Sequence, residues 1–338
     1  MSAPEGGLRA QKRTTIAPLA LERGFGRASR AAPRGSRELH EASGVSPVAE
    51  ALPAEADLAA LFRRHQGDPA GHGWRVRLRH RFGYFTPDEW YEAVVERLVT
   101  PGCRWIDVGG GRSLFPENEP LSRELAGRCA RLVGVDPSRN IHANALVHDQ
   151  VQSTIEAFQT QERFDLATFR MVAEHVEQPR LVVQALARLM RAGGHVVIYT
   201  PWRWAPGAIA AGLVPGRWHH AFTRAIDTRA EEDVFATFYR MNDRNRLRAC
   251  IEQGGFVETA FARLDNCRTW QRFRVACFLE LSAWRLLHAV GARDPEQDLL
   301  GIYRRRYVQA PGSGLQAPVP GSGSGLDRLP TSDSGPHT

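Results

Sequence analysis

A chain of 338 residues, 43% hydrophobic and 24% charged, is long enough to bury the core of one large domain. Its formal charge of +7 is unevenly placed, because the first forty residues hold eight basic side chains against three acidic ones, and the mildly basic remainder argues against nucleic acid as a partner. The most apolar stretch, 273 to 290, is broken by Arg274, Glu280 and Arg285, so no bilayer span and no membrane partner are expected. Cysteines at 103, 129, 250, 267 and 277 follow no CxxC or zinc spacing. Reduced thiols in a cytoplasmic protein without a metal are the expectation.

Residues 1 to 50 are rich in Ala, Arg, Gly, Ser and Pro and read as a disordered basic arm. Their composition also resembles an organelle transit peptide, although IAPLAL is too short for a signal-peptide core. Residues 308 to 338, with GSG, APVP and GSGSG, read as a flexible tail. The segment between them, 51 to 307, is the folded domain.

Helical periodicity begins at Leu58, Leu61 and Phe62 and sharpens in FTPDEWYEAVVERLVT. There Thr86 can cap, Pro87 suits the first turn, and Tyr91, Val94, Val95 and Leu98 share a face. From Arg104 the pattern alternates, predicting strands at 104–108, 131–136, near 147–154, 164–169, 195–200, 256–264 and 299–305. Helices are predicted at 120–130, 179–191, 243–253 and about 270–290, with Leu181, Val182, Ala185, Leu186 and Leu189 facing inward in the second. Gly193 and Gly194 are expected to cap that helix, and Gly254 and Gly255 the next. Such alternation signals an α/β fold with a mostly parallel sheet and helices on its faces. Residues 201 to 242, rich in tryptophan and phenylalanine, are too long for a strand-helix connection and read as a helical lid or substrate wall, or else as a structural subdomain.

In WIDVGGGRS, Gly109, Gly110 and Gly111 follow a strand and let backbone N–H groups approach a ligand. The dinucleotide fingerprint GxGxxG would need glycine at Leu114. Asp107, two residues before the glycines, would repel a pyrophosphate and attract a cation. Asp136 ends the next strand in GVDPS, before Pro137, where its carboxylate can accept two ribose hydroxyls or simply cap a turn.

WIDVGGGRS, LVGVDPS, FDLATFRMVAEHV and LARLMRAGGHVVIYTP resemble, in order, the motifs of class I S-adenosylmethionine (SAM)-dependent methyltransferases, over about residues 80 to 264. The resemblance implies a Rossmann-like seven-stranded sheet with the last strand antiparallel and SAM across the carboxyl ends of the first two strands. It implies that Asp107, Gly109, Gly110 and Gly111 line the methionine side, that Asp136 with Pro137 holds the ribose, and that Phe169 and Arg170 lie beside the methionine moiety. The adenine falls near QSTIEAF, where Ser153, Thr154 or Glu156 are the candidates. The stretch RSLFPENEP lengthens the gap between the glycines and Asp136, which sets the helix start near Asn118 or Pro120. Little room remains for a helix between Asp136 and the third strand.

Methyl transfer from SAM needs alignment and exclusion of water rather than a nucleophilic triad. A base is needed only where the acceptor has a proton to lose. His175 in AEHVEQP and His219 or His220 in WHH are the candidates. Glu174 and His175 also resemble residues that some quinone-pathway O-methyltransferases use for a divalent metal. The sequence lacks [DN]PP[YF] after the fourth strand and a Pro-Cys nucleophile, which disfavours adenine and cytosine methylation. A partly apolar small molecule is the expected acceptor, for O-, N- or C-methylation. A nicotinamide-dependent oxidoreductase and a non-catalytic SAM-binding module are the alternatives.

Overall fold

The computed structural model describes residues 51–206, 208, 209 and 235–307. The two predicted arms and most of the 201–242 insertion, including Trp218, His219, His220 and Phe222, lie outside the described residues. Among the described residues three α-helices precede the sheet: α1 (Glu55–Gln66), α2 (Trp74–Phe82) and α3 (Pro87–Leu98). The Thr86 hydroxyl accepts from the Glu89 amide, the Glu89 carboxylate accepts from the Thr86 amide, and Pro87 opens α3. This reciprocal cap satisfies two helix-end donors.

The sheet comprises β1 (Arg104–Val108), β2 (Arg131–Asp136), β3 (Asp149–Gln152), β4 (Phe164–Arg170), β5 (Met190–Pro201), β6 (Phe256–Asp265) and β7 (Gln297–Arg305). Its order is β3-β2-β1-β4-β5-β7-β6, with β7 antiparallel to both neighbours and the first five strands parallel. The order reverses beside β1, so the crevice over the carboxyl ends of β1 and β2 is the place where such sheets bind ligands. Helices α4 (Glu119–Arg128), α5 (Pro179–Leu189), α6 (Arg244–Gln253) and α7 (Arg274–Ala289) complete the described fold. As the short connection implies, only a 3-10 turn, Arg139–Ala143, links β2 to β3.

Strand alternation divides the core in two. Trp105, Leu132, Leu166, Val197 and Leu300 pack with α1, α3 and α4, while Ile106, Val133, Ala167, Val196 and Ile198 pack with α5 and α6 on the other face. Leu114 and Phe115 of the RSLFPENEP insertion are buried in the first cluster, Phe115 edge-on to Tyr91. The insertion therefore plugs the core instead of lengthening a phosphate loop.

Two expectations are corrected. Leu181 is 42% exposed, and Val183 takes its place inside. Leu181 lies roughly 120° around the helix from the centre of the buried arc. Gly193 and Gly194 do not cap α5, because β5 already begins at Met190, paired with Phe164. They serve a bulge: Gly193 has φ 78°, and a Cβ on Gly194 would lie 3.0–3.1 Å from three carbonyl oxygens.

The insertion is pinned by one buried pair. Asn118 caps α4 by accepting from the Leu121 amide, and its side-chain amide donates to Glu92 of α3 at 2.8 Å. Burial raises the Glu92 pKa to about 8, despite the Asn118 bond. The folded protein thus keeps this proton while an unfolded chain releases it near pH 4.5, so stability falls as pH rises from about 4.5 to about 8. Glu92→Gln keeps an acceptor for Asn118 and removes that loss. Urea unfolding at pH 5.5 and 8.5 is expected to show a drop in stability smaller by more than about 1 kcal/mol in the variant. Equal drops in the two proteins would refute the assignment.

Candidate functional site

Asp136 ends β2, and both of its carboxylate oxygens accept from backbone. Oδ2 takes the Gly111 amide at 3.0 Å and Oδ1 takes the Ser138 amide at 2.7 Å. Charge-assisted bonds of this kind are the stronger ones, and here they join the loop after β1 to the turn after β2. The Gly109 amide donates to the Val135 carbonyl at 2.8 Å, and Asn144 donates to the Gly110 carbonyl at 3.0 Å. Gly109 and Gly111 adopt positive φ, 74° and 41°. A Cβ on Gly109 would sit 2.2 Å from Val172 Cγ2, so only glycine fits.

Asp107 lies beneath this loop on the α3 face of the sheet. Thr168 of β4 donates to its Oδ1 at 2.6 Å while accepting from the Trp105 indole at 2.7 Å. Oδ2 is turned to the loop, 3.0 Å from where a Cβ on Gly110 would stand. Burial raises the Asp107 pKa to about 7, with the Thr168 bond and Arg170 opposing and Asp136 adding to the rise. A cationic group above the loop would favour its charged form.

Ser153 and Thr154 follow β3, where the Ser153 amide donates to the Asp136 carbonyl at 3.1 Å. Their hydroxyls make local bonds, to the Thr154 carbonyl and from the Ala157 amide. Glu156, the third adenine candidate, is half-buried on the same segment. The predicted residues 107, 109 to 111, 136, 137, 153 and 154 thus share the carboxyl edge of β1, β2 and β3. Phe169 stands beside Val108 at the carboxyl end of β4, with its side chain buried in the core on the α5 face. Arg170 points to the opposite face and forks onto Asp88 Oδ1 of α3, at 3.0 and 2.7 Å.

Asp88 anchors a network that sequence reading missed. Arg268, in the loop after β6, bonds its other oxygen and also reaches Tyr199 at 3.3 Å and Asp298 at 3.6 Å. Burial would raise the Asp88 pKa, but Arg170 and Arg268 outweigh it and hold the carboxyl below its ordinary value. Asp298 is pushed up to about 7 by burial, with Arg268 opposing. These partners are separated by as many as 180 residues, and no local pattern announces them.

Met171 and Tyr239 are the non-glycine residues with positive φ among those described, 54° and 50°. Both flank Glu174, whose backbone carbonyl accepts from the Phe238 and Tyr239 amides at 2.7 and 3.2 Å. The Glu174 carboxylate accepts from Thr200 at 2.8 Å, and Asn242 donates to Thr200 at 2.6 Å. His175 Nδ1 lies 3.0 Å from the Ala236 carbonyl oxygen, and Nε2 lies 3.9 Å from Glu174 Oε1. A carbonyl only accepts, so in the neutral ring Nδ1 carries the proton and Nε2 keeps its lone pair. Among the described residues no group of three or more His, Cys, Asp or Glu side chains could hold a metal ion.

A methyltransferase-domain family model matches residues 57–257. An uncharacterized methyltransferase of Mycolicibacterium vanbaalenii is 27% identical over 222 residues, which cover 58% of this chain and 84% of that protein. A ubiquinone biosynthesis O-methyltransferase of Nitrobacter winogradskyi is 31% identical over 172 residues, 47% of this chain and 62% of that protein, so the match spans less than two thirds of that relative. A solved structure of phosphoethanolamine N-methyltransferase 2 from Haemonchus contortus, in complex with SAM, aligns with a TM-score of 0.42 at 16% identity, over 74% of this chain and 60% of that one. The family match covers more than half of the chain, and the protein therefore belongs to the methyltransferase-domain family, the class I SAM-dependent enzymes that its four motifs resemble.

Proposed function

We propose that the enzyme transfers the methyl group of SAM to the oxygen of a small, partly apolar acceptor, with the cofactor seated over the loop that Asp136 ties to β2. When bound, SAM supplies a methyl on a positively charged sulfur. The observation that carries the reading is the glycine cradle. Three glycines leave the loop without side chains, one of them pressed on Val172, and two carboxylates, Asp107 and Asp136, face it from below and beside. The residues present fit a cationic amino acid joined to a ribose: Asp107 offers charge, and Asp136 keeps lone pairs beyond its two backbone bonds. Ser153, Thr154 and Pro137 lie where the nucleoside end would reach. A pyrophosphate would face two carboxylates, and the fingerprint's last glycine is the buried Leu114, which disfavours the nicotinamide alternative.

On the acceptor side, His175 is fixed by Ala236 as the tautomer with a free Nε2, and Glu174 stands near enough to stabilise the ring once it takes a proton. The O-methyltransferase relative, acting in ubiquinone biosynthesis, supports a hydroxyl acceptor. Arg170 acts at a distance: its guanidinium holds Asp88 and so seats α3 against the ends of β4 and β7. His219 lies outside the described residues, and no role is assigned to it.

Calorimetry with S-adenosylhomocysteine and NAD tests the reading. The wild type is expected to bind S-adenosylhomocysteine and not NAD, with Asp136→Ala losing at least tenfold in affinity. Binding of NAD alone would overturn it, and binding without transfer to any of a panel of phenols and amines would favour the non-catalytic module. With the Asp107 pKa near 7, affinity for SAM is expected to rise about tenfold from pH 6 to pH 8 as the carboxylate forms, and to stay level in Asp107→Asn. A level profile in both would remove Asp107 from cation binding. His175→Gln is expected to lower kcat for a phenolic acceptor about a hundredfold and leave S-adenosylhomocysteine affinity unchanged. Unchanged kcat would exclude His175 as the base.

A further inference from the structure

Helix α7 carries large apolar residues well beyond its packed face, yet only Cys277, Leu281 and Trp284 are buried, against α2 and Tyr84. A helix of that composition normally lies inside a core. Here Val275, Leu279 and Leu286 are 74%, 60% and 67% exposed and fall on one stripe, with Phe278 beside them and Trp270, Phe273 and Val290 exposed at its ends. Contiguous exposed apolar surface of this kind marks an interaction site.

Arginine surrounds the stripe. Helix α2 carries Arg75, Arg77, Arg79 and Arg81 and no acid, and the segment from Trp270 to Val290 adds Arg272, Arg274 and Arg285 against Glu280 alone. Glu280 is turned inward and accepts from the Trp270 amide, and Arg79 is paired with Glu89, while the other six arginines are exposed. A groove of about 440 Å³ runs between the two helices, walled by Trp74, Leu78, Val275 and Phe278 and rimmed by Arg77, Arg81 and Arg274. None of the residues that line the groove belongs to the glycine cradle.

We propose that the α2–α7 face docks on an anionic lipid bilayer, with the aliphatic stripe among the acyl chains and the arginines on lipid phosphates. Two properties select this occupant. Six uncompensated arginines repel a second copy of the same face and equally the basic residues 1 to 40. Val275, Leu279 and Leu286, the aliphatic centre of the stripe, gain nothing from a nucleic-acid backbone, whereas aliphatic and aromatic side chains alike are removed from water in the headgroup and acyl boundary. Surface docking needs no spanning helix, and none of the described helices is long and apolar enough to cross a membrane. Such docking departs from the expectation of no membrane partner, which rested on the lack of a span.

Vesicle sedimentation tests the proposal on the full chain. The wild type is expected to pellet with phosphatidylcholine vesicles containing one third phosphatidylglycerol and to remain in the supernatant with phosphatidylcholine alone. Arg77→Gln, Arg81→Gln and Arg274→Gln together should weaken partitioning about a hundredfold, at about fivefold each. Leu279→Ser with Leu286→Ser, at positions already in solvent, should also abolish pelleting while S-adenosylhomocysteine affinity stays at the wild-type value. Absence of pelleting with anionic vesicles, or pelleting that neither set of substitutions reduces, would overturn the proposal. So would a dimer in light scattering that Leu279→Ser and Leu286→Ser dissociate, since the stripe would then belong to a second copy.

Discussion

The carboxyl edge of β1 and β2 depends on one carboxylate. Asp136 receives the Gly111 and Ser138 amides on separate oxygens and so holds two loops from different strands in a single geometry. Backbone donors at the carboxyl end of a parallel sheet have no strand partner left, and a buried donor without one costs free energy. By accepting both, Asp136 lets the chain turn sharply after β1 with no side chain in the way, and Asn144 completes the turn from the far side. The cradle's shape is thus a property of β2 as much as of the glycines themselves.

The opposite, α3 face is organised by charge. Two arginines share Asp88, while burial raises Asp107 and Asp298 to about 7, so that near pH 7 each carries only part of a negative charge. Helix α3 is therefore seated by ionic contacts at its first turn and by apolar ones along its length, where Tyr91, Val94 and Val95 are fully covered. Burying such ions is costly unless each is paired and hydrogen-bonded, and here each is. The same face carries Thr168 under Asp107, so the position of α3 and the environment of Asp107 are physically linked.

What could be read in advance follows the range of the interaction. Strands and helices with strong period and local caps, such as α3 with Thr86 and Glu89, were legible, and local motif spacing was enough to place Asp107, the glycines and Asp136 at the carboxyl ends of β1 and β2. A motif places Phe169 at the end of β4, but only strand alternation in the folded sheet tells that its side chain enters the core. Gly193 and Gly194 looked like a helix stop, and only the pairing with β4 reveals the bulge. The Asp88, Arg170 and Arg268 cluster, Asn144 under Gly110, and Glu92 with Asn118 were invisible, since each joins residues far apart in the chain or in a turn without a signature. The exposed stripe on α7 has the composition of a core helix, and a hydrophobic period alone does not tell a buried face from an unpartnered one.

The position of β7 has a consequence for assembly. Because this last strand slots antiparallel between β5 and β6, the β6 segment finds no place in the sheet until residues 297 to 305 are available. A nascent chain that has emerged only as far as α7 therefore presents an unfinished edge at β5, the kind of surface on which chains aggregate. Closure of the fold is in this sense a long-range event that waits on β7 rather than one spread along the domain.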